Sequence, residues 1–188
     1  KHMDIKSFIA VPTTSGTGSE VTSFAVLTDS ETQIKYPLVD DAVLPDEALL
    51  TPLFVKTSPP SVTAFSGMDV LVHALEAYVA TAANNFTDAL AQQAIELVFE
   101  YLPKCHKPTA TEQDRMSMHE ASCLAGLSFN KAGLGIVHAM AHQLGGQFHV
   151  PHGLANSMLL PYVIAFNCSH NQEVAKKYAA LSAKLGFA

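Results

Sequence analysis

The chain has 188 residues, 48% hydrophobic and only 15% charged, a balance too apolar for disorder and long enough for one large or two small domains. Its net charge of −6 comes without a basic stripe, which argues against a nucleic-acid surface. No apolar run reaches the ~18 uncharged residues that a membrane-spanning helix needs. Cys105, Cys123 and Cys168 are far apart and form no CxxC, so they read as free thiols of a protein in the reducing cytoplasm. The chain opens Lys1-His2-Met3 and stops close behind a helix terminus, as expected of a processed product or a piece of a longer polypeptide.

In chain order, Ser7-Phe8-Ile9-Ala10-Val11, bounded by Pro12, reads as a buried strand. It runs into Thr13-Thr14-Ser15-Gly16-Thr17-Gly18-Ser19-Glu20. Glycines let backbone N–H groups approach a phosphate closely, and the hydroxyls add donors. The sequence is neither GxGxxG nor a Walker loop, and a plain turn ahead of a helix cap is the alternative. Residues 23–28 and 33–39 read as a hairpin joined by the turn Asp29-Ser30-Glu31-Thr32, with Val43–Leu44 a short strand beyond it. At Ser58-Pro59-Pro60 strand signals give way to helix signals, which places a domain boundary between residues 1–58 and 59–188.

Six helices are predicted after that boundary. The first covers residues 62–81. The second is capped by Thr87 or Asp88 and stopped by Pro103, and the third covers 112–129 under a Thr111/Asp114 cap. A loop at 131–135 leads to a fourth helix at 136–147. The fifth follows Pro151 with His152 at its start, and the sixth covers 173–185. His119 lies on a mixed face of the third helix and is expected to be structural.

The helical part carries the chemistry. Asp69 and His73 stand four residues apart in an apolar helix, so they share a face about 5–6 Å apart at Cβ. An acid in such a wall needs a partner, and carboxylate oxygen with neutral imidazole suits a divalent first-row metal. Taken alone, the pair also fits an ordinary Asp–His hydrogen bond. His138 and His142 repeat the four-residue spacing, and His149 and His152 follow. Asp69, His73 and two of the later histidines would make a four-ligand set. Spacing alone does not choose between His142 and His152.

Three segments together resemble the iron-dependent (group III) alcohol dehydrogenases, closest to their 1-propanol and 1,3-propanediol dehydrogenase-like members. They are Pro12-Thr13-Thr14-Ser15-Gly16-Thr17-Gly18-Ser19-Glu20-Val21-Thr22, then Gly67-Met68-Asp69 with His73-Ala74-Leu75-Glu76-Ala77-Tyr78, and last His138-Ala139-Met140-Ala141-His142-Gln143-Leu144-Gly145 before Pro151-His152-Gly153. The resemblance implies a mainly α chain. A helical metal-binding domain is preceded by the last strands of an α/β nucleotide-binding domain, an incomplete version of the dehydroquinate synthase-like, iron alcohol dehydrogenase architecture. It implies Asp69, His73, His138 and His152 as ligands of Fe2+, with zinc an alternative, and His142 off the metal beside the substrate, which makes His142 the candidate catalytic proton relay. It further implies Thr13, Thr14, Thr17, Val26 and Lys35 as NAD(P) contacts, and Phe24 and Phe129 in the substrate pocket.

The implied activity is hydride transfer between NAD(P) and a small primary alcohol or its aldehyde, by a chain expected to be homo-oligomeric. Three neutral imidazoles and one carboxylate would leave a divalent centre cationic, which favours an ionised alcohol. A helical metal-binding module or fragment without independent catalysis is the alternative. The Thr13–Ser19 loop argues against the module.

Overall fold

The computed structural model describes residues 6–32 and 35–187. Within them, four short strands, β1 (Ile9–Ala10), β2 (Phe24–Thr28), β3 (Lys35–Val39) and β4 (Glu47–Ala48), precede six helices. These are α1 (Pro60–Val79), α2 (Asn85–Cys105), α3 (Glu112–Ala132), α4 (Ile136–Phe148), α5 (His152–His170) and α6 (Gln172–Lys184).

The fold is built around α1. A proline at its first position suits a helix start, where the missing N–H would have no partner anyway. Every residue from Asp69 to Tyr78 is buried, as a helix apolar on all sides requires. Helices α2, α3 and α5 pack around it, and Val70, Val72, Ile95, Val98, Ala121 and Val137 fill the shared core. Helix α5 meets α1 at Gly153, where a Cβ would lie 1.9 Å from the Phe65 carbonyl oxygen. Any larger residue there would push the start of α5, and His152 with it, away from α1.

The caps explain two differences from the sequence reading. Helix α2 starts before Thr87, because Asn84 accepts from the Phe86 and Thr87 N–H groups while the Thr87 hydroxyl accepts from the Asn84 N–H. Thr87 is thus the third residue of a capping box rather than the cap. Pro103 does not stop the helix, which runs on to Cys105 and closes with His106 N–H on the Leu102 carbonyl. Proline removes only its own N–H and crowds the carbonyl four residues back, a loss that falls in the final turn here. The Thr111/Asp114 capping box of α3 lies where predicted, and the helix continues to Ala132, past the expected end.

The strand-bearing part is thinner. Strand β1 pairs in parallel with β4 over two residues, Ile9 with Glu47 and Ala10 with Ala48. The expected buried strand is therefore short and open, with Phe8 43% and Ile9 53% exposed. Its apolar run has one ladder partner among the described residues. Strands β2 and β3 form the expected antiparallel hairpin, Phe24 opposite Val39 and Thr28 opposite Lys35. Asp29 organises its turn by accepting from the Glu31 N–H and the Thr32 hydroxyl. Gln33 and Ile34, expected to begin the return strand, lie outside the described residues. Val43–Leu44 is not a strand. Asp40 caps a 3-10 turn over Asp41–Val43 by accepting from the Ala42 N–H, the local side-chain bond with which Asp competes against extended structure.

Candidate metal centre

Asp69 Oδ1 is the hub of the site. It lies 3.9 Å from His73 Nε2, 3.5 Å from His138 Nε2 and 3.4 Å from His152 Nε2. Ligand atoms of Asp69, His73 and His138 all fall within 4.8 Å of one another, and all three residues are buried. Donor atoms at ~2.0–2.2 Å from a tetrahedral ion stand about 3.3–3.6 Å apart, so these spacings suit the edges of one coordination shell. The donor set, one carboxylate oxygen with imidazole nitrogens, fits a divalent first-row cation. Three helices converge to make it: α1 supplies Asp69 and His73, α4 supplies His138, and α5 supplies His152.

The rings are held as a stack. Phe129 lies on His73 at 4.5 Å between centroids, and His73 lies on His138 at 4.4 Å with only 13° between planes. Phe24 meets the edge of Phe129 at 5.7 Å. Phe24, Val26 and Thr28 alternate onto one face of β2. That face runs from the Phe129 stack to an open cleft lined by Thr28, Gly145, Gly146, His149 and His152. His142 is half-buried, its ring 5.1 Å from that of His152 and 6.3 Å from that of His138.

Two residues absent from the sequence expectations complete the centre. Glu76 is buried; its Oε1 accepts from the Val137 N–H at 2.7 Å and its Oε2 from His138 Nδ1–H at 2.6 Å. Asn156 is fully buried and directs its Nδ2 at Asp69 Oδ1 (2.7 Å), His152 Nε2 (3.2 Å) and His138 Nε2 (3.3 Å). Both were readable in principle. Asp69, His73 and Glu76 form a stripe at i, i+4 and i+7, and His152 and Asn156 repeat the four-residue spacing.

Burial opposes ionisation of Asp69, but the surrounding imidazoles, His73 foremost, bring its carboxyl down to about 2. Burial pulls His73 down to about 4 against the attraction of Asp69. His138 goes the other way. Burial would lower it, yet its bonds to Asp69 and Glu76 raise it to about 9, so an incoming cation competes with a proton for its Nε2. Burial also works against ionised Glu76, and its bonds from His138 and from the backbone at Gly135 and Val137 outweigh that, leaving its carboxyl below the usual range. With Glu76 present, two buried carboxylates formally balance a divalent cation. The expectation of a net cationic centre, based on one carboxylate, is corrected accordingly.

The Thr13–Ser19 loop is fastened to the helices. Gly18 has φ 62°, and a Cβ there would lie 2.8 Å from the Gly126 Cα of α3. Ser15 Oγ lies 3.1 Å from Nδ1 of the fully buried His119, so that histidine has the structural role expected of it. Thr13 and Thr17 are exposed, and Thr14 is half-buried beside a small cavity with Ser15, Ser66 and Arg115. Thr17 Oγ1 contacts Ser19 Oγ at 2.6 Å. Val26 is 47% exposed on β2. Lys35 pairs by its backbone with Thr28; its side chain lies outside the described part of the structure. The three cysteines are free thiols, and among the described residues no helix is long and apolar enough to cross a membrane.

Residues 63–188 match the C-terminal model of the Fe-containing alcohol dehydrogenase family, and residues 1–52 match the iron-containing alcohol dehydrogenase model. The chain is 56% identical to 1-propanol dehydrogenase PduQ of Citrobacter freundii, over 94% of this chain and 48% of that protein. It is 49% identical to the NADPH-dependent butanol dehydrogenase of Clostridium saccharobutylicum, over 96% of this chain and 45% of that protein. The solved alcohol dehydrogenase of Oenococcus oeni superposes with a TM-score of 0.90 at 40% identity, covering 99% of this chain and 48% of that one. The chain thus spans about half the length of the curated relatives it matches. Two family models in sequence order, the second laid over the helices that gather an aspartate and three imidazoles, place this chain in the iron-containing alcohol dehydrogenase family.

Proposed function

We propose that this chain is the metal-bearing part of an NAD(P)-dependent dehydrogenase that interconverts a small primary alcohol and its aldehyde. The observation that carries the reading is the convergence of three imidazole Nε2 atoms on Asp69 Oδ1 at 3.4–3.9 Å. Asp69, His73, His138 and His152 hold Fe2+, or zinc in its place. When bound, such a cation supplies Lewis acidity that makes an alcohol hydroxyl acidic, and the nicotinamide supplies the hydride acceptor. His142, beside His152, takes the alcohol proton and passes it to solvent. Phe24 and Phe129 shield the reacting carbon from water. Thr13, Thr14 and Thr17 hold the cofactor from the anchored loop, with Val26 and Lys35 contributing from the hairpin. Residues 1–58 end the nucleotide-binding domain and residues 59–188 belong to the metal-binding one. The free thiols fit a cytoplasmic protein. The apolar hairpin, with Leu27 56% and Val39 63% exposed, fits burial against further chain or a second subunit in a homo-oligomer.

A second reading, a metal-binding fragment without independent catalysis, is favoured by the half-length coverage of the relatives. Calorimetry of NADH and metal with the purified chain separates the two readings. Heat from both ligands supports the dehydrogenase, whereas metal binding with no NADH heat supports the fragment. Metal analysis of His138→Ala and His142→Ala tests the assignment of roles. The first is expected to lose metal and the second to keep it, and the reverse result would exchange their roles.

A further inference from the structure

Glu76 is an unusual buried acid. It is buried on α1 and links that helix to the start of α4. One of its oxygens accepts from the backbone N–H of Val137 in the first turn of α4 and the other from the Nδ1–H of His138 one residue later. An ionised carboxylate only accepts hydrogen bonds, so His138 must carry its proton on Nδ1. In the neutral ring the lone pair is then on Nε2, the atom that faces Asp69. Space for the link is made by the backbone, since a Cβ at Gly135 would lie 2.6 Å from Glu76 Oε1. Sequence position adds to the argument. Glu76 follows His73 by three residues on the same helix, so one rigid element positions two candidate ligands, Asp69 and His73, directly and a third, His138, through Glu76.

We propose that Glu76 is the positioning residue of the metal centre, setting the tautomer and ring orientation of His138 and docking the start of α4 on α1. The inference rests on the metal reading above. Outer partners of this kind commonly set metal affinity within a 10–100-fold range. In Glu76→Gln the amide oxygen can still accept from Val137, which turns the NH2 toward His138 Nδ1. The ring must then accept at Nδ1 and carry its proton on Nε2, the atom 3.5 Å from Asp69 Oδ1. The side chain keeps its shape while the metal-facing lone pair is lost.

The test titrates Co2+ into the purified chain as wild type, Glu76→Gln and Gly135→Ala, following visible absorption, and melts each protein metal-free. Glu76→Gln is expected to bind Co2+ about 10–100-fold more weakly, with an altered absorption spectrum. Gly135→Ala, which displaces the carboxylate without removing it, is expected to move both readouts in the same direction and keeps the test decisive if the glutamine variant fails to fold. A merely structural role would lower the melting temperature and leave the spectrum of the loaded protein unmoved, and that result overturns the inference. So does an unchanged affinity in a folded variant. Wild-type protein that fails to bind Co2+ would overturn the metal reading, and this inference with it.

Discussion

The helical and strand-bearing regions differ in how much of their own work they complete. Around α1, the side chains that gather at Asp69 come from helices buried against one another, and the core residues Val72, Ile95 and Val137 are fully buried. In the hairpin, Val26, Leu27, Leu38 and Val39 are all 47% exposed or more. A helix satisfies its backbone internally and needs only side-chain neighbours, whereas a strand needs partners on both edges to be covered. Among the described residues the side chains around Asp69 are therefore brought together, while each strand has a single ladder. The lesson is that donor geometry here is a property of helix packing, while the cover of the hairpin depends on sheet neighbours.

The largest effect that would break this contrast is at the cluster. His138→Ala should weaken metal binding by more than ~100-fold, while Leu27→Ala on the hairpin should leave it unchanged; equal losses would show that the hairpin shapes the centre. Next comes stability. Ile95→Ala in the helical core should cost about 2–5 kcal/mol in urea denaturation, against ±0.5 kcal/mol for exposed Leu27→Ala. Gly18→Ala tests the seam between the two regions. The left-handed φ and the 2.8 Å approach to Gly126 should make it cost about 1–3 kcal/mol and weaken NADH binding if the loop holds the cofactor.

The smallest effect is pH-dependent. Burial holds His119 below its ordinary value, so the unfolded chain takes up more protons as pH falls through about 6.5. The stability associated with neutral His119 is present above that pH and is lost below it. Between pH 7.5 and pH 5, metal-free His119→Gln should lose less melting temperature than metal-free wild type, since only the wild type buries a neutral His119. An unchanged pH slope in a folded variant would remove His119 from the seam.

Much of the helical region was legible because a helix converts sequence spacing directly into direction. The Asp69–His73 pair, the His138 segment, the Thr111/Asp114 cap and the hairpin around Asp29 were all readable from i to i+4 spacing or from turn chemistry. The errors share a cause. Pro103, the cap at Asn84 and the 3-10 turn after Asp40 were decided by which neighbouring groups were free to accept or donate. The open face of β1 depended on how many strands lie beside it. Glu76 stands on the same stripe as Asp69 and His73, yet a glutamate near a helix end reads as a solvated charge until α4 is docked on it.

By itself the sequence determined that an apolar helix would present an acid and an imidazole on one face, and that two later segments would present more histidines. Periodicity is local and survives any packing. Only the tertiary structure decided which of those histidines meet. Gly153 lets α5 abut the Phe65 carbonyl and brings His152 Nε2 to 3.4 Å from Asp69 Oδ1, while His142, though four residues from His138, meets its ring edge-on at 6.3 Å. Distances between helices depend on the volumes packed between them, and no spacing along one chain segment encodes that.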